Sequence, residues 1–303
     1  MAALNYATEY SRILSQAYPK SLNFGALYNT ENDRRYRWVN AKTIEIPSIT
    51  TSGRVSANRD TIAMAQRNYD NSWESKTLNF FRKWSTLVHP MDIDETNLAA
   101  SIGNITEAFN NEQKFPEMDA YTASKIYADW TTSVTEEGYV GKTADSTALT
   151  TENILKIIDD LMLAMDNDNV PANGRLLYVT NEVKSLIKNA QGIGRSYSVQ
   201  EKKPVINREV SRIDEVEVIG VPSTLMKTKY DFTDGCKVAA NAQQINMMLV
   251  HPSAVITPEK YNFAQLDPPS AGSEGKWIYY EESYGDVFIL NKKASGIQFN
   301  VSA

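Results

Sequence analysis

Apolar and polar residues alternate along two stretches near the start of this chain. In RYRWVNAKTIEIPSI (residues 35–49), Tyr36 and Trp38, then Ile44 and Ile46, are separated by polar neighbours. In LNFFRKWSTLVHP (residues 78–90), aromatic and β-branched residues run from Leu78 to Val88. A period of two predicts half-buried β-strands. Between them, residues 50–76 are polar and contain Arg54, Arg59 and Arg67. Structureless loops longer than about 12–15 residues are uncommon in compact domains. Flanking strands of similar length therefore predict a long hairpin that projects from the body.

Helical periods flank this region. Leu4, Ala7, Ile13, Leu14 and Ala17 form a loose stripe over residues 1–20, ended by Pro19, and residues 23–35 read as a polar arm. Beyond the hairpin, Asp92 or Asp94 is placed to cap a helix over residues 97–109. Pro116 then opens a second helix, PEMDAYTASKIYADW, with Met118, Tyr121, Ile126 and Trp130 as its buried face. From about residue 143 the pattern becomes mixed. Thr150 precedes an apolar stripe of Ile154, Ile157, Ile158, Leu161, Met162 and Met165, and RLLYVT reads as a buried strand. Thr180 caps NEVKSLIKNA, which Gly192 can end, and residues 192–211 read as an exposed loop. EVEVIGVP, INMMLVHP and KWIYYEESYGDVFILNKKASGIQFNV (residues 276–301) supply further strands and one short helix.

Charge is unevenly distributed. Net charge is −6, which argues against a protein whose task is to coat nucleic acid. Residues 1–90 hold twelve Lys/Arg against seven Asp/Glu, and the remainder hold nineteen against thirty. From Gly53 to Lys83 there are six Lys/Arg and three Asp/Glu. From Asp92 to Asp129 there are eight acids and two lysines. A projecting basic hairpin next to an acidic helical segment predicts head-to-tail pairing between copies, which builds rings or lattices. Arg54, Arg59, Arg67, Asp92, Asp94, Glu95, Glu117 and Asp119 are the candidate contact residues.

Catalytic chemistry is thin. The two histidines, His89 and His251, each precede a proline, which favours extended geometry at a strand end. Neither has zinc-type spacing, and Cys236 is the single cysteine. No glycine-rich nucleotide loop or nucleophile elbow is present. No apolar run approaches the roughly 20 residues needed to span a bilayer. No cofactor or metal is expected. A small hydrolase using His89 or His251 is retained as the enzymatic alternative.

Five stretches resemble one known family: RYRWVNAKTIEIPSITTSGR, RKWSTLVHPMDIDETN, EQKFPEMDAYTASKIYADW, QINMMLVHPSAVITP and EESYGDVFILNKKASGIQFNV. They are similar to major capsid proteins of tailed phages and prophages of Gram-positive bacteria, which have the Hong Kong 97 fold. The resemblance implies an α+β capsid fold: an N-terminal arm (residues 1–42), an extended E-loop hairpin (43–88) and a peripheral P-domain with a spine helix (89–142). An α/β A-domain (143–285) and C-terminal strands returning to the P-domain (286–303) complete it. It further implies a non-enzymatic virion protein, assembled in the host cytoplasm as hexamers and pentamers into an icosahedral shell. Its partners would be a separate scaffolding protein, a portal protein and enclosed double-stranded DNA, with no membrane. An encapsulin-like compartment shell is the alternative within the fold. The type member carries a long N-terminal scaffolding segment, for which little room exists before residue 36. It also forms a lysine–asparagine crosslink from its hairpin. Residues 53–75 here contain arginines but no lysine, so no such covalent network is expected.

Overall fold

Two β-sheets on opposite sides of one long helix organise the protein. A computed structural model describes residues 20–28, 30, 36–54, 56, 67–95, 101–190 and 210–302. The expected helix over residues 1–20, Gly192 and most of the 192–211 loop lie outside the described residues.

The long helix runs as α2 (Ile102–Phe109), a π-turn (Asn110–Lys114) and α3 (Phe115–Thr131). Ser101 caps it, its hydroxyl accepting from the Asn104 N–H. Pro116 therefore does not open a second helix. A proline ring inside an α-helix clashes with the carbonyl four residues back and removes a donor. Here the preceding turn is widened to π geometry, with the Phe115 N–H bonded to the Asn110 carbonyl, and the rod continues. Asp92 lies in the first turn of a separate short helix, α1 (Pro90–Glu95), and does not cap the rod.

The C-terminal half of the rod packs on a five-stranded sheet of order β15–β10–β5–β7–β6. Its members are β5 (Leu176–Thr180), β6 (Arg212–Ile213), β7 (Val216–Val221), β10 (Ile245–Val250) and β15 (Ile297–Val301). Alternation assigns the two faces. Leu177, Val179, Met247 and Leu249 meet α4 (Ile154–Asn167) and α5 (Asn181–Asn189). Tyr178, Met248, Val250 and Phe299 meet Ala123, Ile126 and Trp130 of the rod, with Phe24 and Leu27 of the arm. Both faces are covered, so β5 is buried at every position. Thr180 caps α5 as expected, accepting from the Val183 N–H. Thr150 closes a reciprocal pair with Asn153 one turn before α4, at 2.7 and 3.3 Å.

The other sheet has order β12–β13–β4, from β12 (Glu259–Asp267), β13 (Trp277–Gly285) and β4 (Phe80–Val88). This corrects the strand pairing read from the sequence. β4 does not return along the first strand; it pairs with β13, Trp277 opposite Val88 and Gly285 opposite Phe80. The hairpin is instead β2 (Thr43–Thr51) with β3 (Tyr69–Thr77), Thr43 opposite Thr77 and Thr51 opposite Tyr69. A short β1 (Arg37–Trp38) adds to its edge. The projecting element thus covers residues 43–77, not 43–88. The C-terminus also differs from the expectation. β15 joins the five-stranded sheet, whereas β12 and β13 are the late strands that return to β4. Two further short pairs are β8 (Tyr230–Asp231) with β9 (Lys237–Val238) and β11 (Val255–Ile256) with β14 (Phe288–Ile289).

Candidate functional site

The hairpin is anchored at its base and bare toward its tip. Ile44 is fully buried with Leu78, Ile256 and Phe288, whereas every described residue from Ile49 to Gly53 and from Arg67 to Trp73 is exposed. Cross-strand pairing puts Pro47 opposite Trp73 and Thr51 opposite Tyr69. Alternation then places Pro47, Ile49, Trp73 and Tyr69 on one face. Ile49 is 69%, Tyr69 55% and Trp73 43% exposed. The Arg37 guanidinium lies 4.2 Å from the centre of the Trp73 ring and bonds Glu45 at 2.9 Å. Among the described residues, this apolar stripe faces no core.

The opposite face of the hairpin base is locked by ions. The Lys76 ammonium is 3.0 Å from Glu74, 3.0 Å from Glu137 and 3.1 Å from the Asn291 side-chain oxygen. Asn291 donates its backbone N–H to Glu74 and its side-chain N–H to Glu137. Burial pushes the Glu74 carboxyl above the ordinary carboxylate range, although Lys76 opposes the shift. Burial also works against the Lys76 charge, but Glu74 and Glu137 outweigh it and hold its pKa above normal. Removing the cation leaves two buried carboxylates facing each other. We expect Lys76→Met to cost about 3 kcal/mol, the range for breaking a buried ion pair, read as a lower denaturation midpoint. Without Lys76 the folded Glu74 pKa rises further above its unfolded value. That penalty applies above the folded pKa and fades as pH falls toward the unfolded one, so the variant is closer to the parent at pH 5 than at pH 8.

Charge on the arm is redistributed relative to the sequence expectation. Arg82 and Lys83 belong to β4, in the body. Residues 43–77 hold four Lys/Arg and four Asp/Glu, so the hairpin as a whole is neutral, and basic character concentrates at residues 52–68, three arginines to one aspartate. Arg54 is exposed there. Arg67 is exposed, with its guanidinium 5.0 Å from the Tyr69 ring centre and 3.9 Å from Asp70. Arg59 lies outside the described residues.

The acids behind the arm divide in two. Asp94 is exposed and Asp92 half-buried on α1, where the Glu95 side chain is not described. Glu117 and Asp119 do not offer the expected free acidic surface. Glu117 pairs with Arg82 of its own chain at 2.5 Å. Asp119 is fully buried and accepts from the backbone N–H groups of Asn23 and Phe24, at 3.0 and 3.1 Å, and from the Asn23 side chain at 2.7 Å. The sequence placed these acids on an acidic helix; which face of the rod turns inward was set by the two sheets. The rod also holds the β12–β13–β4 sheet: Trp84 stacks on Phe109 at 3.8 Å, Phe80 on Tyr121 at 3.7 Å, and Lys114 pairs with Glu281 at 3.2 Å.

Sequence reasoning missed the other face of that sheet. Residues alternating with the rod-facing Arg82, Trp84 and Glu281 lie away from the helix. They form cross-strand rows of Phe81–Tyr284–Tyr261, Lys83–Glu282–Phe263 and Leu87–Ile278–Asp267. Leu87 is 62%, Phe81 53%, Tyr261 45% and Phe263 37% exposed. The alternation of Phe81, Lys83, Ser85 and Leu87 was a usable signal for a two-faced strand, but the outward face carries apolar residues as well.

Both histidines follow strands and cap turns. His89 Nδ1 accepts from the Met91 N–H at the start of α1. His251 Nδ1 accepts from the Ser253 N–H at 3.2 Å and hydroxyl at 2.8 Å, leaving its Nε2–H to donate to the Asn173 carbonyl at 3.2 Å. A serine–histidine pair of this kind is a local cap, with a backbone carbonyl where a nucleophile-activating pair has a carboxylate. Burial lowers the His251 pKa below 6.5, helped by Lys293 and Arg175 and opposed by the Asn173 carbonyl. A depressed folded pKa means that stability falls as pH drops from about 6.5 toward that lower value. His251→Asn, which keeps a capping acceptor, is expected to flatten this acid-side decline in a pH series of thermal melts. Among the described residues, no group of three or more His, Cys, Asp or Glu is arranged to hold a metal ion.

No family model and no curated protein matches the chain. Solved structures do. The chain is similar to the capsid structure of cyanophage P-SCSP1u, with a TM-score of 0.68 at 11% identity over 98% of this chain and 93% of that one. It is also similar to the head structure of Helicobacter pylori bacteriophage KHP40, at 0.63 and 10% identity over 98% and 94%. A third likeness, to a chain of Mycobacterium phage Che8, has a TM-score of 0.58 at 14% identity over 99% and 98%.

Proposed function

Since the chain has the mixed helix-and-sheet fold of tailed-phage capsid proteins, we propose that it is the major capsid protein of a tailed phage. In this reading it assembles as hexamers and pentamers, with the Hong Kong 97 arrangement, into an icosahedral shell that encloses double-stranded DNA. A separate scaffolding protein and a portal protein take part, and the chain has no catalytic role. The observation that carries the reading is the hairpin: nine-residue strands locked at the base by Lys76, Glu74, Glu137 and Asn291, bearing an apolar face that its own body does not cover.

That face needs a surface on another copy. The spine acids are poor candidates, because Glu117 and Asp119 are engaged within the chain. The outward face of the β12–β13–β4 sheet exposes Phe81, Leu87, Tyr261 and Phe263 among the charged Lys83, Glu282 and Asp267. The stripe of one subunit lies across that face of its neighbour, with the arginine-bearing tip setting direction. Such contacts are heterologous and propagate. Each is modest, and the closed shell gains stability from many acting together. The net-negative chain suits a container for nucleic acid, since an acidic wall does not trap phosphate.

Negative-stain microscopy and light scattering of the purified full chain, alone and with a co-expressed scaffolding protein, test the reading. Closed particles are expected. A chain that stays monomeric under both conditions, unchanged when residues 48–72 are replaced by a short turn, overturns it.

A further inference from the structure

The edge of the sheet that carries this outward face has no partner strand among the described residues. β12 pairs only with β13 among the described residues, and all nine of its residues, Glu259–Asp267, are exposed. An edge strand presents a row of unpaired N–H and C=O groups, a template for another strand, and natural proteins blunt such edges with central charges, prolines or bulges. β12 is little blunted: its register shift lies at its start, between Glu259 and Tyr261. Its charges, Glu259, Lys260 and Asp267, stand at its ends, and the central YNFAQL is uncharged. β4, at the other edge of the same sheet, carries Arg82 and Lys83 near its middle. The two edges are built differently, and only β12 is suited to meet a copy of itself.

We propose that β12 pairs antiparallel with β12 of a second copy about a two-fold axis through Asn262, joining two three-stranded sheets into one of six strands. The register follows from side-chain chemistry. With Asn262 opposite its own copy, Tyr261 faces Phe263 twice, Lys260 faces Ala264 and Glu259 faces Gln265. Aromatic cross-strand pairs stabilise a sheet and like charges destabilise it. Centring the axis on Phe263 would set Glu259 against Asp267 twice, and centring it on Ala264 would set Tyr261 against Asp267. The Tyr261 and Phe263 rings already lie nearly parallel on one face of β12, 8° apart with centroids at 6.2 Å, where a second such pair can pack beside them. A two-fold contact of this kind is isologous and closes on itself. It is therefore distinct from the hairpin contact, which propagates. The proposal rests on the shell reading only in taking self-association as the chain's function.

Single cysteines introduced in the full chain with Cys236→Ser test the register. Directly opposed cross-strand positions have Cβ atoms about 4.5–5.5 Å apart, close to disulfide reach. Asn262→Cys is expected to give disulfide-linked pairs on mild oxidation, at least tenfold more than Gln265→Cys. Tyr261→Lys combined with Phe263→Glu places lysine opposite glutamate twice across the axis and is expected to keep pairing, whereas Phe263→Lys with Tyr261→Lys is expected to abolish it. Circular dichroism confirms that each variant is folded. Unlinked Asn262→Cys, linking equal to that of Gln265→Cys, or indifference to the charge pattern overturns the proposal. Linked pairs without closed particles would retain it and sink the shell reading. Closed particles without linked pairs would do the reverse.

Discussion

Trp73→Ala is expected to leave the monomer folded and to raise the concentration needed for particle assembly at least tenfold. Trp73 sits mid-strand on β3, opposite Pro47, on the hairpin face with Ile49 and Tyr69, and 43% of it is exposed in the single chain. Among the described residues it is paired across the hairpin with Pro47, and the Arg37 guanidinium lies over its ring. Loss of a half-exposed ring there is expected to cost less than about 1 kcal/mol of fold stability, in line with surface substitutions and exposed cation–π contacts. At an interface the same ring is a different quantity. Buried tryptophans at interface centres cost about 2 kcal/mol or more when truncated, and every subunit of a shell repeats the loss. Trp73→Phe keeps a flat apolar ring and is expected to recover much of the assembly. Light scattering against concentration, with a thermal melt of each variant, separates the two effects. Unchanged assembly, or an assembly loss matched by a fall in melting temperature, would show that Trp73 serves the fold and not a neighbour.

This contrast explains what could be read from the residue pattern and what could not. The helical stripe from Ile154 to Met165, the buried strand at Leu176–Thr180 and its Thr180 cap were legible, because each faces a core within its own chain. β3 was not. YDNSWESKT has no apolar period, because one face meets the polar Lys76–Glu74–Glu137 lock and the other meets solvent in the monomer. Without a visible β3, the pattern makes β4 the hairpin's return strand and Arg82 and Lys83 charges of the arm. The structure returns both to the body, where Arg82 neutralises Glu117. Pro116 misled for a local reason, since a π-turn just before it lets the helix pass through. The basic-arm, acidic-rod complementarity thus rested on a strand assignment. What remains is an exposed hairpin with Arg54 and Arg67 toward its outer end and an apolar flank that sequence periodicity did not reveal.

The second large effect concerns an acid that resembles an interface residue in sequence and is a structural one in the fold. Asp119→Ala is expected to destabilise the chain by about 2–4 kcal/mol, the range for removing hydrogen bonds to a charged acceptor and stranding their buried donors. Asp119 is fully buried on α3 and gathers two backbone N–H groups, from Asn23 and Phe24, and the Asn23 side chain. Those bonds hold Phe24 against Tyr178, ring centres 4.5 Å apart, where it seals the core of the five-stranded sheet. Hydrogen exchange at the Asn23 and Phe24 amides is expected to accelerate before the rest of the core opens, since the arm is released first. Asp119→Asn keeps one acceptor oxygen and is expected to lose less. Burial raises the Asp119 pKa, with its hydrogen bonds opposing the shift. A folded pKa above the unfolded value means that protonation favours the folded state. The parent therefore gains stability relative to Asp119→Asn as pH falls through the folded pKa, and the gain levels off below the unfolded value of about 3.9. If Asp119→Ala melted like the parent while assembly failed, the acid would be facing a neighbour after all. If the melt falls and the arm amides exchange early, Asp119 holds the chain's own arm in place and serves the fold, not a neighbour.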